Sequence, residues 1–155
     1  MLHLQEETLR ELTERFIPFN RFLGITLGSI RKGFARLELP FRDEFVGDPM
    51  RPALHGGLIS TLADTTGGVA VWTHTDDLES RVATIDLRID YLRPGRLERL
   101  IAEGTVVRAG NRVGVVDIRL FHPSNEGETI ATGKGVFNIV KPKKPASHAP
   151  SSPTR

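Results

Sequence analysis

The chain has 155 residues with 39% hydrophobic, 26% charged and 6% aromatic content, the profile of one ordinary globular domain. At that length a fold buries roughly 70% of its extended surface, so the core requires no metal or disulfide staple, and the absence of cysteine excludes a disulfide scaffold, a thiolate metal site and a cysteine nucleophile together. The formal charge of +2 conceals an asymmetry: Lys141, Lys143, Lys144 and Arg155 lie in an acid-free tail, and taking these four from the 21 basic residues leaves 17 against 19 acidic ones, which is no argument for a nucleic-acid partner, since that needs a basic stripe on folded structure.

At the N-terminus, Met1 to Arg10 lacks the cationic-then-apolar order of a secretory signal, and nowhere does an apolar run approach the ~20 residues that cross a bilayer. A cytoplasmic protein with no membrane span is expected. Leu9, Leu12 and Phe16 recur at helical spacing within Glu6 to Phe16, and Pro18 is expected to end this short amphipathic helix. Ile25 to Pro40 alternates around Gly33, which predicts two strands joined by a turn, and Gly47, Pro49 and Pro52 mark a loop from Phe41 to Leu54. From His55 to Asp76, Leu58, Ile59, Leu62, Ala63, Val69, Ala70, Val71 and Trp72 cover nearly the whole helical circumference, so this helix is expected inside the protein. Gly67 and Gly68 in its middle, each costing roughly 1 kcal/mol against Ala, point to a close backbone approach by another element.

Four strands complete the chain. Ile85, Leu87, Ile89 and Tyr91 alternate with Thr84, Asp86, Arg88 and Asp90, which puts the two sets on opposite faces of a half-buried strand. Runs at about Leu97 to Arg108, Arg112 to His122 and Thr129 to Val140 follow, connected through Pro94-Gly95, Gly110-Asn111 and Asn125-Glu126-Gly127, short enough for antiparallel hairpins. The class is therefore α+β, an antiparallel sheet wrapped around one long central helix. The tail from Lys141 to Arg155 is rich in Pro, Ser and Lys, buries too little to offset its ordering entropy and is read as disordered. Residues 1–140 remain as the single domain.

No G-x-S-x-G, H-E-x-x-H, G-x-x-x-x-G-K-[ST] or dinucleotide glycine fingerprint occurs. The histidines at positions 3, 55, 74, 122 and 148 show no metal-ligand spacing. Asp64, by contrast, is the only ionisable side chain between His55 and His74, in the most apolar segment of the chain. Stripping hydration from a carboxylate there makes it a useful base near neutral pH; the alternative is a structural role, capping backbone or pairing with an arginine such as Arg88. His55-Gly56-Gly57 opens the same helix, where N–H groups and the positive end of the macrodipole face outward and glycine lets a ligand oxygen come close. That is an oxyanion-hole candidate, set against a plain loop-to-helix junction capped by His55.

HGGLISTLAD from His55 to Asp64, the small-residue helix behind it and VATIDLRIDYLRPG from Val82 to Gly95 together resemble the phenylacetate-pathway type of hotdog-fold acyl-CoA thioesterase, over roughly Phe19 to Val140. The resemblance implies a hotdog fold and hydrolysis of an acyl- or aryl-CoA thioester to the free acid and coenzyme A, with no metal and no bound cofactor. It implies Asp64 as general base or nucleophile, the N–H of Gly56, beside His55, as the group polarising the thioester carbonyl, and Thr84 as the hydroxyl that positions the attacking water. Coenzyme A contacts are implied at the end of the post-helix strand and in the next hairpin, at Asp86, Tyr91, Arg93, Arg96, Arg108, Asn111 and Arg112, with the four arginines for the phosphates.

Relatives often carry an asparagine a few residues before the histidine, whereas this chain reads GDPMRPALHGG from Gly47, with Asp48 or Arg51 available in its place. Two alternatives stand beside hydrolysis. A non-catalytic acyl-CoA-binding module calls for a lost carboxylate or an effector domain, and a hotdog hydratase or dehydratase presents its histidine and acid in a different pattern. The N-terminal helix lies either over the acyl pocket or in plain packing.

Gly56 and Asp64 are eight residues apart, about 12 Å along one helix axis. A base and an oxyanion donor must both act within roughly 3 Å of one thioester. A homodimer whose antiparallel helices bring Gly56 of one subunit to Asp64 of the other resolves this with two shared sites, and a further pairing would give a homotetramer.

Overall fold

The computed structural model describes residues 2–75, 77 and 79–142; from Lys143 on, the tail read as disordered lies outside them. Helix α1 (Leu2–Glu11) continues into a π-helical turn (Leu12–Phe16), and a second helix, α2 (Pro18–Leu23), follows. Pro18 thus begins a helix that the sequence pattern did not suggest, at the first helical position, where its missing N–H is not needed. The wider π turn shifts Phe16 off the apolar stripe, so Leu9 is buried but Phe16 is exposed.

Strands β1 (Thr26–Arg31) and β2 (Phe34–Leu39) form the expected hairpin, turned through Gly33 at φ 75°, a left-handed conformation that glycine adopts without steric cost. The segment expected as a loop instead holds a 3-10 turn (Asp43–Phe45) and a small ribbon of β3 (Val46–Asp48) with β4 (Ala53–Leu54). The central helix α3 (Gly56–Trp72) is followed by β5 (Arg81–Tyr91), β6 (Leu100–Ala109), β7 (Val113–His122) and β8 (Asn125–Val140). Asn125 pairs with His122, so the last turn is Pro123-Ser124 and Asn125-Glu126-Gly127 belongs to β8.

Six antiparallel strands run in the order β1-β2-β6-β7-β8-β5 and wrap α3, the α+β hotdog arrangement. Leu37, Leu62, Ala70, Leu100, Leu120 and Phe137 stand at the centre of the core between helix and sheet, each large aliphatic contributing ~1.5–3 kcal/mol by leaving water. At Gly67 a Cβ would lie 2.7 Å from the Phe137 ring. The close approach is therefore made by an aromatic side chain of β8, not by backbone. The hydroxyls of Thr61, Thr65 and Thr66 donate to carbonyls one turn back, at Gly57, Thr61 and Leu62, so these hydroxyls are satisfied within the helix, whereas the buried indole N–H of Trp72 at its end has no partner among the described residues.

Burial of α3 is less complete than the sequence suggests. Gly57 is exposed, Thr61, Asp64, Thr65, Gly68 and Trp72 are half-buried in a stripe at helical spacing, and Gly56, Leu58 and Ser60 are half-buried at the helix start. The two sheet edges also differ. At β1 the Leu27 N–H donates to Glu14 (2.8 Å) and the Leu27 carbonyl accepts from Arg10, so the N-terminal helical segment occupies that edge. β5 forms the other edge and is exposed along most of its length, with Ile85 59% exposed.

Candidate active site

The β3–β4 ribbon fixes where α3 begins. Leu54 N–H donates to the Gly95 carbonyl (2.9 Å) and His55 N–H to that of Phe45 (2.8 Å), while Gly47 packs so closely that a Cβ there would sit 2.6 Å from His55 Cα. His55 is the N-cap: its Nδ1 accepts from Gly57 N–H at 2.9 Å, which leaves a neutral ring protonated on Nε2. The His55 carbonyl accepts from Leu58 N–H (3.0 Å) and Ile59 N–H (3.4 Å). Of the first-turn donors, only Gly56 N–H lacks an acceptor among the described residues. The helix start therefore presents one free donor, at the positive end of the dipole.

Asp64 lies two turns on and is half-buried. Its Oδ1 accepts from Thr84 Oγ1 at 2.6 Å, and no described residue bonds Oδ2. Arg88 is not its partner, being paired with Asp90 at 3.0 Å. Thr84 reaches Asp64 because of a β-bulge: β5 pairs Thr84 with Phe137 and then Asp86 with Val136, leaving Ile85 as the extra residue. Thr84 consequently shares the α3 side with Val82, Leu87 and Ile89, which pack on the core, while Ile85 is turned outward. Strict alternation would have put Thr84 on the outer face with Asp86, Arg88 and Asp90, so that reading is corrected here.

Within one chain the donor and the carboxylate do not meet. A groove of about 290 Å³ beside Gly56 is lined by Leu54, Ile59, Tyr91, Leu92, Arg93, Pro94 and Gly95, and neither Asp64 nor Thr84 borders it. The residues expected to touch coenzyme A divide in the same way. Tyr91 stands over Gly56, its hydroxyl 3.0 Å from the Gly56 carbonyl and 2.5 Å from Ser60 Oγ. Arg93 donates to the Thr129 carbonyl (2.7 Å), and Arg96 donates to Ser124 and pairs with Glu128 at 3.0 Å. Arg108, Asn111 and Arg112 are exposed around the β6–β7 turn, at the opposite end of the sheet. Asp86 is exposed on the outer face of β5. Asp48 and Arg51 are turned on each other: Asp48 accepts from Met50 N–H and Arg51 N–H and pairs with the Arg51 guanidinium.

Sequence reasoning missed Lys32, His74 and Lys141, which join Arg108, Asn111 and Arg112 around three adjoining cavities of about 530, 210 and 430 Å³ at the end of the sheet where α3 finishes. No carboxylate lines them, and none lies within ion-pair distance of Arg31, Lys32, Arg108, Arg112 or Lys141 among the described residues. Elsewhere on or beside the sheet Arg36, Arg88, Arg99 and Arg119 pair with carboxylates. Arg36 bonds Glu126 and Glu103, and the hydrogen bond to Glu126, more than the opposing desolvation, raises its pKa above the ordinary arginine value. Lys32 sits in a predicted turn and Lys141 at the start of a predicted tail, and only the strand order brings them together.

Comparisons with known proteins agree with this fold. Residues 52–128 match the family described as Thioesterase superfamily. The chain is 39% identical over 130 residues to the protein of Escherichia coli (strain K12) named Medium/long-chain acyl-CoA thioesterase YigI, covering 74% of this chain and 84% of that one. A solved structure from Shewanella oneidensis related to the thioesterase superfamily matches with a TM-score of 0.76 and 30% identity over 88% of this chain and 98% of the other. A thioesterase family protein from Silicibacter pomeroyi, 23% identical, shares the fold with a TM-score of 0.78, over 87% of this chain and 97% of its own.

Proposed function

The chain belongs to the thioesterase superfamily, and from that premise we propose that it is an acyl-CoA thioesterase whose two active sites are each shared between the subunits of a homodimer. The observation that carries the reading is the Thr84–Asp64 hydrogen bond of 2.6 Å, made by a bulge that re-aims one hydroxyl at the lone carboxylate of the central helix. Asp64 takes a proton from the water that attacks the thioester carbonyl, or attacks it directly to give an anhydride that water then cleaves. Gly56 N–H of the partner holds the developing oxyanion, and the carbon–sulfur bond breaks to release coenzyme A as its thiol.

Three features support the shared site. Donor and base are about 12 Å apart along α3. The open β5 edge and the half-exposed stripe of α3 lie on one side of the molecule, joined where Thr84 touches Asp64, and an open edge of this length is a pairing surface. A two-fold axis with antiparallel helices also brings Tyr91 and Arg93 of one subunit towards Arg108, Asn111 and Arg112 of the other. Among the arginines, those free of carboxylates suit phosphates best, which favours Arg112, Arg108 and Arg93 over Arg96. The cytoplasm, where coenzyme A thioesters are made and used, is the proposed location.

For the acyl group, the name of the Escherichia coli relative and the apolar lining of the groove beside Gly56 favour a medium or long aliphatic chain over the aryl acids of the phenylacetate-pathway type. Thiol release from a panel of short, medium and long aliphatic and aryl acyl-CoAs tests this. Medium or long chains should give the highest kcat/KM. Binding of acyl-CoA without thiol release would transfer the reading to a binding module.

A further inference from the structure

We propose that Tyr91 and Ser60 are positioning residues that hold Gly56 N–H where an oxyanion needs it; the proposal rests on the reading of Gly56 as oxyanion donor. Gly56 and Gly57 have no side chains, so the first turn of α3 has more intrinsic backbone freedom than a turn without glycine, and unlike Gly67, against which the Phe137 ring packs, Gly56 lies at the helix end. A group that stabilises a transition state has to be held to within about 0.5 Å. Something must therefore restrain the two peptide units that meet at Gly56 Cα.

Three of their four polar groups are engaged. In the His55–Gly56 unit the carbonyl accepts from Leu58 and Ile59. In the Gly56–Gly57 unit the N–H donates to His55 Nδ1, and the carbonyl lies 3.0 Å from both Ser60 Oγ and the Tyr91 hydroxyl. Those two hydroxyl oxygens are 2.5 Å apart. Two protons serve three oxygens, so one hydroxyl donates to the carbonyl and the other donates to the first. Both are needed to complete the chain, and the one group left free is Gly56 N–H.

The tyrosine hydroxyl has no other described partner. Tyr91 is 52% exposed, so core burial does not explain its presence, and its ring lies close enough to the helix start that a Cβ at Gly56 would touch it at 3.4 Å. Phenylalanine would keep that packing and lose only the bond. Thr84 and Tyr91 also share a strand: β5 supplies the hydroxyl that orients Asp64 and the hydroxyl that ties Gly56. One strand, the one with the open edge, sets the geometry of both reacting groups.

The test uses the full chain with Tyr91→Phe, Ser60→Ala, the double variant and Ser60→Thr, measuring kcat and KM on the best acyl-CoA and the Gly56 amide by NMR. Losing one neutral hydrogen bond should lower kcat about fivefold with KM nearly constant. The double variant should be no worse than the poorer single one, Ser60→Thr should recover most of the rate, and the Gly56 amide should exchange faster with solvent in Tyr91→Phe. Unchanged kcat and an unchanged Gly56 amide in both single variants would overturn the proposal, as would a raised KM at constant kcat in Tyr91→Phe, which marks a substrate contact. Gly56→Val separates the two readings. Full activity there means that the oxyanion assignment has failed, whereas lost activity there with none lost in Tyr91→Phe removes the clamp alone.

Discussion

Asp64 has one oxygen occupied by Thr84 and one that no described residue bonds, the state expected of a base oriented on one side and open to water on the other. Asp64→Asn keeps the shape and removes the base, so kcat should fall by on the order of 10²–10⁴ with KM little changed; thiol-release kinetics with long-chain substrate checks this, and an active variant would return Asp64 to a structural role. Thr84→Val should cost about tenfold or less, with Thr84→Ser restoring it. The arginines make a second contrast. Arg112→Ala should raise KM and flatten its dependence on salt while leaving kcat alone, whereas Arg96→Ala, which breaks a surface ion pair with Glu128, should act on stability within ~1 kcal/mol. Equal KM effects of the two would refute the division into free and neutralised arginines. Asp64 and Gly56 were legible in the sequence because each breaks a local pattern, an isolated charge in an apolar run and paired glycines at a helix start. The place of Tyr91 was not, because its bond to Gly56 spans 35 residues and belongs to tertiary structure.

Among the elements, β5 departs most from its sequence pattern in a way that matters. Period-2 alternation identified the strand from Thr84 to Tyr91, with its end as observed and its start three residues late, yet it put Thr84 on the wrong face, because a bulge leaves no mark in a run of alternating apolar and polar residues. The long central helix and the hairpins of β1–β2 and β6–β7 were legible from periodicity and turn residues, whereas α2 and the β3–β4 ribbon were hidden by prolines and short apolar runs that read as loop. The outward turn of Ile85 yields a prediction for the strand as a whole. A lysine on an open edge opposes pairing with a second chain, so Ile85→Lys should weaken the dimer and lower activity in parallel with dissociation, with thermal unfolding of the dilute protein little altered. Sedimentation and kinetics over one concentration series check it. A fully active monomer would contradict it.

In the whole molecule, one sheet edge is filled by Arg10 and Glu14 and the other is left open beside the half-exposed α3, whose one first-turn N–H without an acceptor among the described residues is that of Gly56 and whose one carboxylate is Asp64. Mass measurement in solution should give a dimer or a dimer of dimers. A sheet that closes on one side and not the other makes sense if the missing layer is a second copy, and the same copy supplies what each half-site lacks. Complementation tests this most directly. Subunits with Asp64→Ala and subunits with Gly56→Val, each inactive as homodimers, are refolded together and the heterodimers purified by distinct tags. Each heterodimer then holds one site with both native groups and one with neither, so it should regain about half the turnover of the wild-type dimer, following from the two-fold arrangement. Heterodimers as inactive as their parents would contradict the shared site.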